Sequence, residues 1–203
     1  MNYKDPVVLI LNITVILVLI LLILPTLLNK KEKMRVRISF SVIFLIVIVN
    51  CTGNLLIFYF ENYHLLGLHF ALMGVPFLFG PAIYFYVLLN NGGAIKRPWI
   101  HFIIPFLAIL YGIYHVQMDE GDKMRIFQEV NEAQNLSYNI LNTLVMSIPL
   151  IYFYFSKRYL RRLHIQPADP LAMLKKIKIQ WSHEFINLLL FCVFSFLVIM
   201  IVA

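Results

Sequence analysis

The chain has 203 residues, of which 61% are hydrophobic and only 13% are charged, and its formal net charge is +7. Soluble domains carry close to a quarter charged residues, so this composition excludes an ordinary soluble domain and indicates an integral membrane protein. No polar stretch is long enough to form a separate soluble domain.

Six apolar runs are long enough to cross a bilayer as helices, since roughly 20 apolar residues span its hydrocarbon core. These predicted spans 1 to 6 cover residues 7–28, 39–60, 65–89, 99–116, 136–156 and 185–203. Span 1 is predicted to be a retained helix, because its apolar stretch is too long for a signal peptide and no cleavage site follows it. The predicted fold class is an all-α integral membrane protein with a single transmembrane helical domain over residues 1–203.

Lysine and arginine are concentrated in the segments after spans 1, 3 and 5, which hold 14 of the 17 basic residues. The loop between spans 4 and 5 is instead acidic. Since cytoplasmic loops are enriched in lysine and arginine, the pattern predicts that the N-terminus lies outside the cell. The excess positive charge is interpreted as a topology signal and a contact with anionic lipids, not as a nucleic-acid surface. Within the last cytoplasmic loop, residues 170–181 are predicted to form a short amphipathic element at the interface.

The end of the chain suggests a further helix. With six spans the C-terminus returns to the outside, and the last residues, VIMIVA, still belong to an apolar run. Membrane proteins seldom end in this way, so we expect a truncated seven-helix bundle whose missing part follows Ala203.

Span 3 contains residues that interrupt helices. Each proline removes a backbone donor and clashes with the carbonyl four residues before it, so Pro76 and Pro81 are predicted to free the carbonyls of Leu72 and Phe77. Such carbonyls must be satisfied inside the protein, which predicts that the neighbouring helices enclose span 3. The Gly80–Pro81 pair is predicted to mark a bend, either as a fixed packing feature or as a hinge that moves during signalling.

Many uncharged polar residues lie in the outer halves of the spans, and no Asp, Glu, Lys or Arg lies deep within any span. The lack of buried charge argues against a proton- or ion-coupled carrier. The residues predicted to line an outward-facing pocket for a small ligand among spans 2 to 5 are Asn50, Asn54, His69, Tyr111, His115, Asn139 and Asn142. Hydrogen bonding between helices without a ligand is the alternative role of these side chains.

Patterns for catalysis and metal binding are missing from the sequence. His101 and His115 lie about 21 Å apart along one helix, and the HEFIN segment at His183 lacks the second histidine of a zinc-binding helix. The chain is therefore expected to be no enzyme and to hold no metal or cofactor. Cys51 and Cys192 fall inside spans and are interpreted as small buried residues. His101 is predicted to make a hydrogen bond at the cytoplasmic start of span 4.

Two motifs carry a family resemblance: FLFGPAIYFYV in span 3 and WIHFIIPF at the start of span 4. Together they resemble the multi-pass N-terminal half of bacterial membrane-bound transcription regulators whose C-terminal half is an AraC-type helix-turn-helix domain. The residues that meet the family pattern are Gly80, Pro81, Tyr84, Tyr86, His101, Phe102 and Pro105. Trp181 near the start of span 6 also fits, and the resemblance covers residues 60–190.

This resemblance implies seven membrane helices in the bacterial inner membrane, followed by a cytoplasmic DNA-binding domain that is not in this chain. The expected function is a membrane sensor that relays an unidentified ligand signal to that domain, without direct nucleic-acid binding by these residues. A small multi-pass transporter or channel-like protein is the alternative. The expected partners are the lipid bilayer, a small-molecule or lipid ligand, and a second copy of the chain in a homodimer.

Overall fold

The computed structural model describes residues 6–30, 32–59, 65–131, 136–163 and 172–202, and every regular element within them is helical. The α-helices are α1 (Pro6–Leu28), α2 (Met34–Asn54), α3 (Leu66–Ala71), α4 (Phe79–Asn90), α5 (Ile103–Val116), α6 (Glu120–Asn131), α7 (Leu136–Arg162) and α8 (Ala172–Val202). A π-helical turn, Leu55–Tyr59, extends α2, and 3-10 turns occur at Leu72–Gly74, Pro76–Leu78 and Pro98–Phe102. The prediction of an all-helical fold is confirmed over these residues.

The membrane spans are supported in part. Two helical stretches within the described ranges, Met34–Ile57 and Pro98–Val116, are long and apolar enough to cross a membrane. The apolar stretches Asn12–Leu28 and Pro76–Asn90 are shorter. The arrangement of six spans therefore stays a prediction.

The polar connections are more helical than the sequence predicts. The acidic segment between spans 4 and 5, expected to be a loop, contains α6. Arg125 on α6 lies 3.5 Å from the Asp122 carboxylate and 3.8 Å from that of Glu129, and such pairs three and four residues apart stabilise a polar helix.

Two helix boundaries in the basic segment after span 5 also differ from the prediction. The prediction ended span 5 at residue 156, but α7 continues through the basic residues to Arg162. The interfacial element predicted at residues 170–181 is not separate, because from Ala172 it forms the first turns of α8, which continues to Val202. Its sequence has neither glycine nor proline after residue 170, so nothing ends the helix before the apolar run begins.

The bend in span 3 lies before the Gly80–Pro81 pair, and the predicted position is wrong. The backbone tightens into 3-10 turns around Pro76, so the carbonyl of Leu72 accepts a hydrogen bond from the Val75 N–H at 2.9 Å and is not left free. Pro81 lies in the first turn of α4, where backbone N–H groups have no acceptor within the helix, so its missing donor costs nothing.

Helix α4 lies at the centre of the described bundle. Ile83 and Val87 on α4 are 0% exposed. They belong to one hydrophobic cluster with Ile43 of α2, Phe153 of α7 and Ile186 of α8. The prediction that neighbouring helices enclose span 3 is therefore confirmed for α4.

Contacts between connecting segments define two ends of the bundle. At one end, which we call the basic end, Lys178 of α8 lies 3.4 Å from Glu32 in the α1–α2 connection, and the Asn91 amide after α4 donates to Ser182 of α8. At the other, which we call the acidic end, α6 packs on α3 through Met124 and neighbouring apolar side chains.

Candidate functional site

The two sequence motifs meet at a tyrosine on a third helix. The imidazole Nδ1 of His101, in the 3-10 turn before α5, lies 2.9 Å from the hydroxyl oxygen of Tyr152 on α7. The predicted helix-start role of His101 is therefore wrong. The residue that caps α5 is Phe102, which makes no side-chain cap hydrogen bond, and the His101 hydrogen bond is made across to α7 instead.

Aromatic rings surround this hydrogen bond. Tyr84 and Phe85 of α4 lie with ring centroids 5.7 and 5.2 Å from the His101 ring, and Phe85 meets it edge to face. Phe102 packs on Phe85 at 6.1 Å. These separations fall in the range where aromatic pairs attract. We call Tyr84, Phe85, His101, Phe102 and Tyr152 the aromatic cluster.

Gly80 makes room for the Tyr152 ring. A Cβ atom at Gly80 would lie 2.5 Å from Tyr152 Cδ2 and 3.3 Å from the Cα of Pro149 on α7. Any other residue would therefore require the Tyr152 ring or α7 itself to shift, as glycine permits close approach of helices. Pro81 beside it is fully buried. Gly80 is thus a packing surface for α7, and the helix of span 3 is interrupted before it, at Leu72–Leu78.

The remaining motif residues lie outside the aromatic cluster. Tyr86 is directed to a different face of α4, where its ring packs at 4.7 Å on Phe40 of α2 and at 5.3 Å on Phe185 of α8. Pro105 is buried on α5, and its carbonyl oxygen would lie 2.6 Å from a Cβ atom at Gly74. Pro105 therefore marks the point at which α5 crosses the interrupted part of span 3.

The predicted outer pocket is described only in part. The side chains of Asn54, His69, Asn139 and Asn142 lie outside the described residues, and Asn50 is exposed on α2. Tyr111 and His115 do come together, with ring centroids 4.5 Å apart and edge to face. His115 is buried and its Nδ1 lies 3.3 Å from the Met118 sulfur. These two rings are the part of the predicted pocket that the structure brings together.

A polar contact between α4 and α8 was missed by sequence reasoning. The Asn91 amide donates to Ser182 Oγ at 2.9 Å and to the Val87 carbonyl at 2.8 Å. Ser182 is 1% exposed and donates to the carbonyl of Lys178 at 3.0 Å. The sequence NNGG at 90–93 is a turn signal that marks this connection, but no local pattern identifies Ser182 as its partner. The contact fixes the end of α4 against α8.

Charges at the basic end act on His183 of α8. Partial burial lowers the pKa of its imidazole below the usual value, and the positive charges of Lys157 and Arg161 on α7 lower it further, while Glu184 opposes them. No group of three His, Cys, Asp or Glu side chains within the described ranges is placed to hold a metal ion. Cys51 is partly buried and unpaired, and the Cys192 side chain lies outside the described residues.

Comparisons of the chain with known protein families, with curated proteins and with solved structures found no match. The resemblance to membrane-bound AraC-type regulators therefore rests on the two sequence motifs alone.

Proposed function

We propose that the chain is a multi-pass module of the bacterial inner membrane that transmits a ligand-dependent change in helix packing to a cytoplasmic DNA-binding unit outside these residues. Its proposed orientation has the basic end in the cytoplasm and the acidic end outside. The proposal combines the charge pattern, the motif resemblance and the geometry of the aromatic cluster.

Exposed apolar side chains support the membrane placement. On α1, Leu21 and Leu28 are 67% and 74% exposed, and on α5, Phe106 and Leu107 are each 58% exposed. In water a surface of this kind promotes aggregation. In a bilayer the same surface contacts acyl chains, while the helical backbone satisfies its own hydrogen bonds.

The observation that carries the proposal is the hydrogen bond from α7 to the start of α5, with the span 3 motif packed around it. A net contribution of about 1 kcal/mol is typical of such a bond. A ligand shifts an equilibrium between two helix arrangements only as far as its affinities for the two differ. A contact worth about 1 kcal/mol that is present in one arrangement alone changes such an equilibrium about fivefold. We therefore assign the role of the switching element to the His101–Tyr152 contact, in place of the Gly80–Pro81 bend.

The transporter alternative needs a path through the bundle. In the described arrangement the centre is filled by Ile43, Ile83 and Phe153, each no more than 1% exposed. A filled centre favours signal transmission by helix packing over passage of a solute.

Removing one hydroxyl group tests whether the His101–Tyr152 contact transmits the signal, a role that we call the relay. Tyr152→Phe removes the partner of His101 and keeps the ring, while Tyr154→Phe removes a hydroxyl from a side chain that is 61% exposed on the same helix. Both variants would be placed at the native chromosomal locus, their amounts in membranes matched by immunoblot, and transcripts sequenced alongside a strain in which the gene is deleted.

We expect Tyr152→Phe to alter the transcripts that respond to gene deletion, by roughly fivefold, and Tyr154→Phe to leave them unchanged. Identical transcripts in the deletion and wild-type strains, together with altered uptake of a solute, would favour the transporter. Equal effects of the two variants would contradict the relay through Tyr152.

A further inference from the structure

A groove at the basic end combines positive charge with an apolar floor. It has a volume of about 440 Å³ and lies between the α1–α2 connection, the end of α4, Leu163 directly after α7 and the first turns of α8. We call it the lysine groove, and its lining includes Glu32, Lys33, Val36, Leu89, Asn91, Lys175, Lys178 and Ile179.

The charges of the lysine groove suit an anion. Its described lining contains three lysines, Lys33, Lys175 and Lys178, and one acidic residue, Glu32. Lys178 Nζ lies 3.4 Å from Glu32 Oε1, with both side chains more than a third exposed, so an anion that contacts several of the lysines at once can replace this weak surface pair. The phosphodiester of a phospholipid carries one full negative charge on two free oxygens, which can accept hydrogen bonds from more than one ammonium group, and lysine is a common phosphate ligand.

The floor of the groove suits a chain of methylene groups. Val36, Leu89 and Ile179 supply apolar surface directly beside the ammonium groups. A free phosphate ion would gain nothing from these side chains, whereas each methylene removed from water contributes about 0.8 kcal/mol. Charge and apolar surface in one groove therefore match an amphiphile with an anionic head.

We propose that the lysine groove binds an anionic phospholipid, with the phosphate among Lys33, Lys175 and Lys178 and the start of an acyl chain on the apolar floor. Lipid binding breaks the ion pair between Lys178 and Glu32, so the phosphate replaces Glu32 as the partner of Lys178. The inference uses the membrane placement proposed above but not the signal relay. Binding in the lysine groove differs from the general attraction of a basic surface to anionic lipids, because it depends on three specific lysines.

Purified full-length chain in dodecylmaltoside, titrated with acyl-labelled phosphatidylglycerol and followed by fluorescence polarisation, tests this site. In one variant glutamine replaces the three groove lysines. The matched control carries Arg158→Gln, Arg161→Gln and Arg162→Gln, which remove the same charge from the end of α7 outside the lysine groove. Circular dichroism and gel filtration check that each variant is folded.

We expect the affinity to fall roughly fivefold for each groove lysine removed, and to change less than twofold in the arginine control. Glu32→Gln should raise it, because the competing carboxylate is lost. If the triple lysine variant does not fold, Lys33→Gln alone should still show the fivefold loss, because no ion pair of Lys178 is disturbed.

Equal losses in the lysine and arginine variants would reduce the effect to bulk charge attraction and overturn the proposal. Equal binding of labelled phosphatidylcholine would do the same. Competition by millimolar inorganic phosphate as effective as that by unlabelled phosphatidylglycerol would assign the groove to a free anion instead. None of these results depends on the transcript experiment. The lipid site can therefore be overturned while the relay stands, and the relay while the lipid site stands.

Discussion

The basic and acidic ends of the bundle hold their helices together in different ways. At the basic end, side-chain hydrogen bonds and an ion pair connect separate elements: His101 with Tyr152, Asn91 with Ser182, and Lys178 with Glu32. The two hydrogen bonds are directional and specify one helix arrangement, because a shift of one helix breaks them, whereas the exposed ion pair contributes little.

At the acidic end the described contacts are mainly steric. The ion pairs of Arg125 stay within α6, and α5 meets α3 where Gly112 lies against the Phe70 carbonyl and the His115 and Phe70 rings pack 5.3 Å apart. The comparison therefore sets donor–acceptor contacts between elements at the basic end against contacts that depend on close fit at the acidic end.

Glycine substitutions should change the free energy of unfolding most and separate close packing at the acidic end from that around Gly80. A Cβ at Gly112 overlaps the backbone carbonyl of Phe70, whereas at Gly80 it meets the movable ring of Tyr152, and at Gly121 it meets nothing within 4 Å. We expect Gly112→Ala to lower the free energy of unfolding by about 3 kcal/mol and Gly80→Ala by about 1–2 kcal/mol. Gly121→Ala in α6 should raise it by up to about 1 kcal/mol, since alanine favours helix.

Reversible unfolding in mixed micelles, followed by circular dichroism, measures this series. A Gly112→Ala protein as stable as the Gly121→Ala protein would show that α3 and α5 are not in contact as described.

Two buried serines test the role of cross-helix hydrogen bonds. Ser182 is 1% exposed and bonded to α4, while Ser156 is 0% exposed and its hydroxyl has no partner among the described residues. Ser182→Ala should cost about 1–2 kcal/mol because Asn90 and Asn91 lose an acceptor. Ser156→Ala should be neutral or stabilising, since it removes an unpaired polar atom. Equal destabilisation by both exchanges in the micelle assay would contradict the assigned contact.

The titration of His183 is expected to have the smallest effect on stability. The pKa of His183 lies below its ordinary value of 6.5, so the unfolded chain binds the proton more strongly than the folded one. His183 therefore contributes full stability above about pH 6.5 and loses it as the pH falls below that value.

Nuclear magnetic resonance of labelled histidine should show the lowered pKa, and Lys157→Gln should raise it part of the way, because burial is the larger cause. A pKa of His183 that Lys157→Gln leaves unchanged would place α7 and α8 farther apart at the basic end than the structure does.

The sequence predicts the helices better than their contacts. Apolar runs such as that of α2 must be helical in a membrane, because only a helix satisfies the backbone of a single segment in lipid. The bend in span 3 was misplaced because the effect of a proline depends on where its helix begins, and Pro81 lies in a first turn. Similarly, α6 could have been found from the spacing of Asp122, Arg125 and Glu129.

The candidate site was predictable only in part. The motifs include His101 and Gly80, but their common partner, Tyr152, is 51 residues away from His101 in sequence. Local periodicity carries no information on which ring of α7 faces α4, since that depends on the crossing point that Gly80 permits. Ser182 was missed for the same reason, as its partners follow a different helix.

Cysteine accessibility in intact cells tests the central claim, that the two ends face opposite sides of a membrane with the basic end inside. After replacement of Cys51 and Cys192 by serine, single cysteines at Ala94 and at Gly121 would be treated with a membrane-impermeant maleimide; both positions are exposed. The account predicts that Gly121→Cys is labelled on intact cells and Ala94→Cys only after the inner membrane is permeabilised. Labelling of Ala94→Cys from outside, or of both positions equally, would contradict it.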